Sequence, residues 1–379
     1  MPFSRLDQHW MRLALSFGER GLGRTWPNPS VACHIVSNSR IIARGRTEIG
    51  GRPHAESIAL GRARDQSDGA TAYVTLEPCS HTGKTGPCAE LLANSGIARV
   101  VTPLSDPDER VSGTGHHFLR KAGVRVESGC LEEGAIRSHL GFLLRSVHGR
   151  PMVALKLAHS LDGRVATGTG ESKWITGSAS RRLVHVMRSR HDAVMVGRGT
   201  ALSDDPRLTL RGIGADHLPV RIVLDTNLSA PVDSNLGNSA RDGPVWICHG
   251  ADAPESGRDA WRKAGAETIE CGAARSSGLD LATVMKHLAE RGLTRIFCEG
   301  GPRLASSLIR EGLVDRFISF SSGTVLGSDA MPMFDQLNCR NIADAFRFTL
   351  QQQIRVDGDV MSVWSQPIAS YGFRNRRFC

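Results

Sequence analysis

Two separated segments carry a set of side chains that can serve one ion only if they meet. His54, Ala55 and Glu56 follow the Gly50, Gly51, Pro53 turn and open the helix-like run HAESIALGRAR. Glu77, Pro78 and Cys79 close the strand-like run TAYVTL, and Cys88 opens the next helical run, CAELLANSG. One imidazole nitrogen and two thiolates form a ligand set that zinc favours, and three protein ligands leave the fourth tetrahedral position open, as catalysis requires. For His54, Cys79 and Cys88 to share an ion, a helix start and a strand end must converge, which calls for alternating strands and helices in a layered α/β unit. Singly, each residue reads as well as a helix cap or a small core residue; the three together do not.

Glu56 stands two positions after His54 and is no ligand in this reading. Zinc lowers the pKa of a bound water to about 7, so a hydroxide can attack a ring carbon that bears an exocyclic amine. A glutamate at this position can take the water proton and pass it to the ring nitrogen and the departing ammonia, which makes Glu56 the candidate catalytic residue. H-A-E followed by P-C at a strand end is the zinc-deaminase signature, with one difference: eight residues separate the two thiols, rather than two.

The surrounding pattern agrees. Leu6, Trp10, Leu13, Ala14 and Phe17 share one helix face, and VACHIV and IIARG read as strands joined by the SNSR turn. TAYVTL and ARVVTPL are further strands. After SVHGRP the pattern restarts with MVALKLA, which sets a boundary between a unit of residues 1–148 and a unit of residues 149–368. The second unit offers a helix over 178–190, strands AVMVG, VRIVL, PVWICH, TRIFCE and RFISFS, and helices over 280–291 and 302–311. Residues 369–379, with the basic sequence YGFRNRRFC, are expected to be a disordered or loosely packed tail.

Composition narrows the partners. Lys and Arg outnumber Asp and Glu by 47 to 38, which suits a phosphorylated metabolite or nucleic acid equally. Only 5% of residues are aromatic, and no basic run interleaved with aromatics is present, so nucleic acid is not expected. No apolar run reaches the roughly 18 residues of a membrane helix, and the nine scattered cysteines read as reduced thiols, so the chain is expected in the cytoplasm without a membrane partner.

The second unit lacks G-x-G-x-x-G, so an ordinary Rossmann dinucleotide site is not expected. Two weaker features remain. Strand RIFCE runs into Gly300, Gly301, Pro302 and a helix, a junction that suits a phosphate, and the loop Gly197, Arg198, Gly199, Thr200 allows close backbone approach.

The long insert CSHTGKTGPC, with WPNPSVA, GGRPHAES, LKLAHSLDGRVAT, GESKWITG, SDDPRLTLR and CEGGPRLASSL, resembles the bifunctional deaminase/reductase family of riboflavin biosynthesis, RibD, over nearly the whole chain. That resemblance implies a cytidine-deaminase-like α/β/α sandwich followed by a dihydrofolate-reductase-like α/β domain with a mixed sheet. It implies zinc-dependent removal of the 2-amino group from 2,5-diamino-6-(5-phosphoribosylamino)pyrimidin-4-one, then reduction of the ribosyl chain to ribityl with NADPH, by a homo-oligomer. It also places Asn28 and Lys84 in the deaminase pocket. In the reductase, NADPH contacts fall on Ala158, Trp174, Thr200, Asp204, Thr226 and the turn Gly301, Pro302, Arg303, Leu304, Ala305, Ser306, Ser307. Substrate contacts fall on Ser172, Arg188, Leu208, Arg211 and Glu299. The chain departs from the family pattern at Thr47, Gly86, Cys33, His34 and the segment Asp106, Pro107, Asp108, Glu109. Two other readings stay open at this point: a nucleoside or tRNA deaminase with an unrelated C-terminal domain, and a non-catalytic zinc-stabilised RNA-binding or regulatory protein.

Overall fold

The computed structural model describes residues 3–80, 86–107, 112–272 and 278–373. The chain divides into two compact units, one of residues 1–148 with 368–379 and one of residues 149–367.

The first unit is built on five strands, β1 (Ala32–Ser37), β2 (Arg40–Arg46), β3 (Thr71–Val74), β4 (Arg99–Thr102) and β5 (Arg125–Ser128), in the order β2-β1-β3-β4-β5. β1 pairs antiparallel with β2 and β3, whereas β3, β4 and β5 run parallel. Asn38 and Ser39 both take left-handed φ values, the geometry of a tight hairpin turn between β1 and β2. The helices are α1 (Arg5–Gly18), α2 (Ala55–Ala63), α3 (Cys88–Ala93), α4 (Thr114–Lys121) and α5 (Glu132–His148). α1 starts at a capping box in which Ser4 and Asp7 satisfy each other's backbone. Its apolar side packs on β1, β3 and α5, while α2 packs on β1, β2 and α3.

The second unit holds a nine-stranded mixed sheet. Its strands are β6 (Met152–His159), β8 (Ala193–Gly197), β9 (Val220–Leu224), β10 (Val245–His249), β11 (Glu267–Glu270), β12 (Arg295–Cys298), β13 (Arg316–Ser321), β15 (Thr349–Val356) and β16 (Asp359–Ser365). They lie in the order β11-β10-β9-β8-β12-β6-β13-β16-β15, parallel as far as β13 and antiparallel over the last two steps. A small ribbon pairs β7 (Arg164–Ala166) with β14 (Met331–Pro332). The helices are α6 (Ser178–Arg188), α7 (Arg198–Asp204), α8 (Asn235–Asn238), α9 (Glu255–Ala264), α10 (Leu281–Glu290) and α11 (Pro302–Arg310). The parallel strands β8, β9 and β10 are mostly apolar and almost wholly buried because both of their faces are covered, with Arg221 and His249 as buried polar exceptions.

Two details differ from the sequence reading. The loop expected over Gly197–Thr200 is the cap and first turn of α7, with Gly197 as N-cap. The tail expected to be loose is packed over its described part: Tyr371 and Phe373 are buried, and Phe373 stacks against Tyr371 and His148. The imidazole of His148 also bonds the Tyr371 carbonyl at 2.9 Å. Two aromatic rings close together give this end of the chain apolar area that its arginine-rich sequence conceals.

Candidate functional site

In the first unit the strand end after β3 and the starts of α2 and α3 bring His54, Cys79 and Cys88 together. Their ligand atoms lie within 4.8 Å of one another, the one such cluster among the described residues. His54 is the N-cap of α2, but its side chain makes no capping bond. Its Nδ1 instead lies 3.3 Å from Cys88 Sγ and 3.5 Å from Cys79 Sγ. Tetrahedral zinc with N and S ligands has ligand–ligand edges of about 3.5–3.8 Å, so this donor set fits the ion. The electrostatics fit as well. A hydrogen bond from the Cys88 thiol holds Cys79 down to about 4 and pushes Cys88 well above the usual thiol range. Two thiols this close ionise together only around a cation.

Glu56 lies in the first turn of α2 at 3% exposure, and burial pushes its carboxyl up to about 7. It is within reach of the Cys88 thiol. A carboxyl that is half protonated near neutrality suits a group that must first accept and then donate a proton. Asn28 also comes to this end of the unit. Gly51 has φ +87°, and a Cβ there would lie 2.0 Å from Asn28 Nδ2, so only glycine lets the Asn28 amide sit against the turn that leads into His54. Lys84 lies outside the described residues, as do Asp108 and Glu109.

The unusual residues beside this site have structural partners. Thr47 is buried, and its hydroxyl accepts the Val31 N–H at 3.0 Å. Cys33 faces Glu56, whose charge adds to burial in raising the thiol well above its usual range. His34 faces Phe17 instead, 5.6 Å away, with burial lowering its pKa to about 4.

The second unit contains a cleft of about 840 Å³ between the ends of β6, β8 and β12 and one face of α6. Ala158, Ser172, Trp174, Arg188, Thr200, Asp204, Leu208, Arg211, Glu299, Gly301 and Pro302 all line it. Thr226 does not line it, and neither do Arg303, Leu304, Ala305, Ser306 and Ser307. Only the N-cap and the first residue of α11 reach the cleft, and the rest of the helix leads away from it. Ala305 and Ser306 are buried, and Ser306 Oγ accepts the Asp335 N–H at 2.7 Å. Trp174 is not a core residue; it is 69% exposed with the Arg181 guanidinium 4.3 Å above its ring.

Arg188 is committed to the cleft wall. Its Nε donates to Glu299 Oε1 at 2.5 Å and its Nη1 to the Thr209 carbonyl at 3.0 Å. On the other side of Glu299 is Lys156, 4.0 Å away, which the sequence reading passed over. Burial works to raise the Glu299 carboxyl, but Arg188 and Lys156 outweigh it and hold it below the usual range, while burial lowers Lys156. A lysine inside the apolar run MVALKLA was the available signal, since a charge in a buried strand breaks the local pattern. The α11 N-terminus meets the cleft at Gly301, an N-cap with no side-chain hydrogen bond, followed by Pro302. Bare backbone at a helix start fits the pyrophosphate of a dinucleotide.

A family model described as RibD C-terminal domain matches residues 151–362, and one described as cytidine and deoxycytidylate deaminase zinc-binding region matches residues 4–104. The chain is 38% identical to the riboflavin biosynthesis protein RibD of Aquifex aeolicus, over 85% of this chain and 88% of that one. It is 37% identical to RibD of Escherichia coli, over 93% and 98%. Among solved structures, Acinetobacter baumannii RibD, form 1, superposes with a TM-score of 0.85 at 36% identity, covering 95% of this chain and 99% of that one. The diaminohydroxyphosphoribosylaminopyrimidine deaminase/5-amino-6-(5-phosphoribosylamino)uracil reductase of Thermotoga maritima gives 0.82 at 32% identity, covering 96% and 99%.

Proposed function

The chain belongs to the RibD family and is a bifunctional deaminase and reductase of riboflavin biosynthesis, and from that premise we propose which of its residues do each step. In this reading the first unit removes the 2-amino group of 2,5-diamino-6-(5-phosphoribosylamino)pyrimidin-4-one, and the second reduces the ribosyl group to ribityl, giving 5-amino-6-(5-phosphoribitylamino)uracil. The reading of an unrelated C-terminal domain falls to the match over residues 151–362.

One observation carries the first half: three ligand atoms within 4.8 Å of one another beside a carboxyl buried to 3% exposure. His54, Cys79 and Cys88 hold one zinc ion, which when bound activates water near neutral pH. Glu56 accepts the water proton and passes it to the ring nitrogen, then carries the proton of the added hydroxyl to the amine, which leaves as ammonia as the carbonyl forms. Asn28 orients the pyrimidine or its ribose, and Lys84 meets the phosphate as a point charge.

For the second half, NADPH is the proposed cofactor, supplying hydride when bound in the cleft. Gly301 and Pro302 receive its pyrophosphate, and Ala158, Trp174, Thr200 and Asp204 line its path. Ser172, Leu208 and Arg211 contact the substrate. Arg188 is pinned by Glu299 and Thr209, so it offers its remaining Nη2 edge rather than a full fork. The sugar carbon gains the hydride and the ring oxygen gains a proton, which the adjacent Lys156 and Glu299 are placed to move.

The free cysteines among the described residues support a reducing, cytoplasmic setting. β15, which no strand among the described residues pairs along its outer edge and which is exposed over nearly all its length, supports self-association. Incubation of the purified protein with the diamino substrate, with and without NADPH, tests the whole reading. Ammonia is expected in both cases and NADPH loss only when deamination has occurred; zinc-loaded protein that does neither overturns it.

A further inference from the structure

The strand end that carries Cys79 is fastened to α4 by residues on both sides of the ligand. Glu77 is 5% exposed, and its carboxylate accepts four main-chain N–H groups. Asp106 and Gly113 donate to Oε2 at 2.9 Å each, while Gly115 and His116 donate to Oε1 at 2.9 and 3.2 Å. The N-cap of α4 is Gly113, which has no side chain with which to cap the helix. Glu77 therefore supplies, from the segment that follows β3, the acceptor that a local cap residue normally provides, and puts its charge at the positive end of the helix.

Two further contacts tie the same pieces. A Cβ on Gly115 would lie 2.0 Å from the Pro78 carbonyl oxygen, so the helix backbone rests directly on the strand end. Ser80 Oγ and Thr114 Oγ1 share a hydrogen bond of 2.6 Å. Residues 77, 78 and 80 thus all grip the turn 113–116, and Cys79 between them is left to face His54 and Cys88.

We propose that Glu77 is a positioning residue of the deaminase centre: by binding the N-terminal turn of α4 it fixes the strand end, and with it the direction of the Cys79 thiolate. The inference rests on the zinc-deaminase reading above and adds a residue to it. The physical grounds are that a buried carboxylate needs nearly complete hydrogen bonding to remain there, and that outer partners of metal ligands set the geometry of those ligands. Glutamine has the same shape but has one acceptor oxygen, and its amide N–H would confront two main-chain donors. The strand end would have to shift to relieve that opposition.

The test is Glu77→Gln in the full-length protein, read by three measurements. They are the visible d–d spectrum of the Co(II)-substituted protein, the rate of zinc transfer to a chelator, and the ammonia-release kcat per bound metal. Altered d–d bands, roughly 10–100-fold faster zinc loss and a kcat lower by a similar factor are expected, with NADPH oxidation on pre-deaminated substrate unchanged. A lower melting temperature with an unaltered Co(II) spectrum and unaltered kcat per metal would make Glu77 a stability residue only and overturn the proposal. If Glu77→Gln does not fold, Ser80→Ala probes the same fastening more gently: a smaller spectral change in the same direction supports the proposal, and none overturns it. Wild-type protein that gives no thiolate-ligated Co(II) spectrum defeats the zinc reading itself, a result separate from failure of the Glu77 assignment.

Discussion

Replacing Glu56 by glutamine is the most informative single perturbation of the deaminase unit. The amide keeps the size of the side chain and its place in the first turn of α2, but accepts no proton. At 3% exposure the site has no bulk water to stand in as a base, so the loss is expected near the upper part of the range for general acid–base catalysis. That range is about 10²–10⁴-fold in kcat, or roughly 2.7–5.5 kcal/mol in activation free energy. The assay is ammonia release, paired with metal analysis and with NADPH oxidation on pre-deaminated substrate. The variant is expected to keep its zinc and its reductase rate while ammonia release collapses. Ammonia release within about threefold of wild type would refute the proton-shuttle role, because even the low end of the range is about 100-fold. Loss of zinc would show instead that Glu56 is needed to build the centre.

Other consequences can be checked in parallel. Cys88→Ser is expected to lose zinc and ammonia release together, with the reductase rate retained, as metal analysis and the two assays would show. Glu299→Gln leaves Arg188 and Lys156 as neighbouring cations without their carboxylate, at side-chain exposures of 12% and 16%. It is expected to lower the reductase rate by about 100-fold or more and to destabilise the second unit by roughly 3–5 kcal/mol, read by denaturant unfolding. His34 titrates at about 4 in the fold against 6.5 unfolded, so below pH 6.5 the unfolded chain binds the extra proton first. Stability is then lost as pH falls from 6.5 through about 4, by roughly 3 kcal/mol in all, and His34→Phe should flatten that part of the pH–stability curve. Asp7 has the complementary behaviour: burial works to raise its carboxyl, but Arg99, Ser4 and Tyr73 hold it well below the usual range. Its contribution is present above pH ~4 and vanishes only in stronger acid, so Asp7→Asn should lower stability at neutral pH and weaken the acid dependence below pH ~4.

Much of the fold was legible because its main elements announce themselves locally. β8, β9 and β10 are short β-branched runs, buried on both faces, and α2 and α3 start at the residues that carry the chemistry. Not every element was picked out: α5 was passed over although Ile136, Leu140, Leu143 and Leu144 recur at helical spacing, while two others owe their stability to distant partners or have no pattern to read. α4, with the sequence THHFLRK interrupted by Gly115, has little apolar face, and is held by the Glu77 carboxylate and by the packing of Gly115 on Pro78. β15 carries Gln351, Gln352 and Gln353 and is exposed on both faces, so it has no alternation to detect. At the sites, the convergence of His54, Cys79 and Cys88 was readable from residue type and order alone. Lys156 was not picked out, because its significance depends on Glu299, which arrives from β12 far along the chain. Of the Gly301–Ser307 motif, only the N-cap Gly301 and the first helical residue Pro302 line the cleft, because the motif runs on into α11.

The central claim, that one chain deaminates first and reduces second, is tested most directly by a quenched time course on the diamino substrate with products separated by chromatography and mass spectrometry. With NADPH present, the deaminated ribosyl compound should rise and then give way to the ribityl product, and without NADPH the reaction should stop at the deaminated compound. Accumulation of a reduced compound that still carries its 2-amino group, or NADPH consumption ahead of ammonia release, would contradict it.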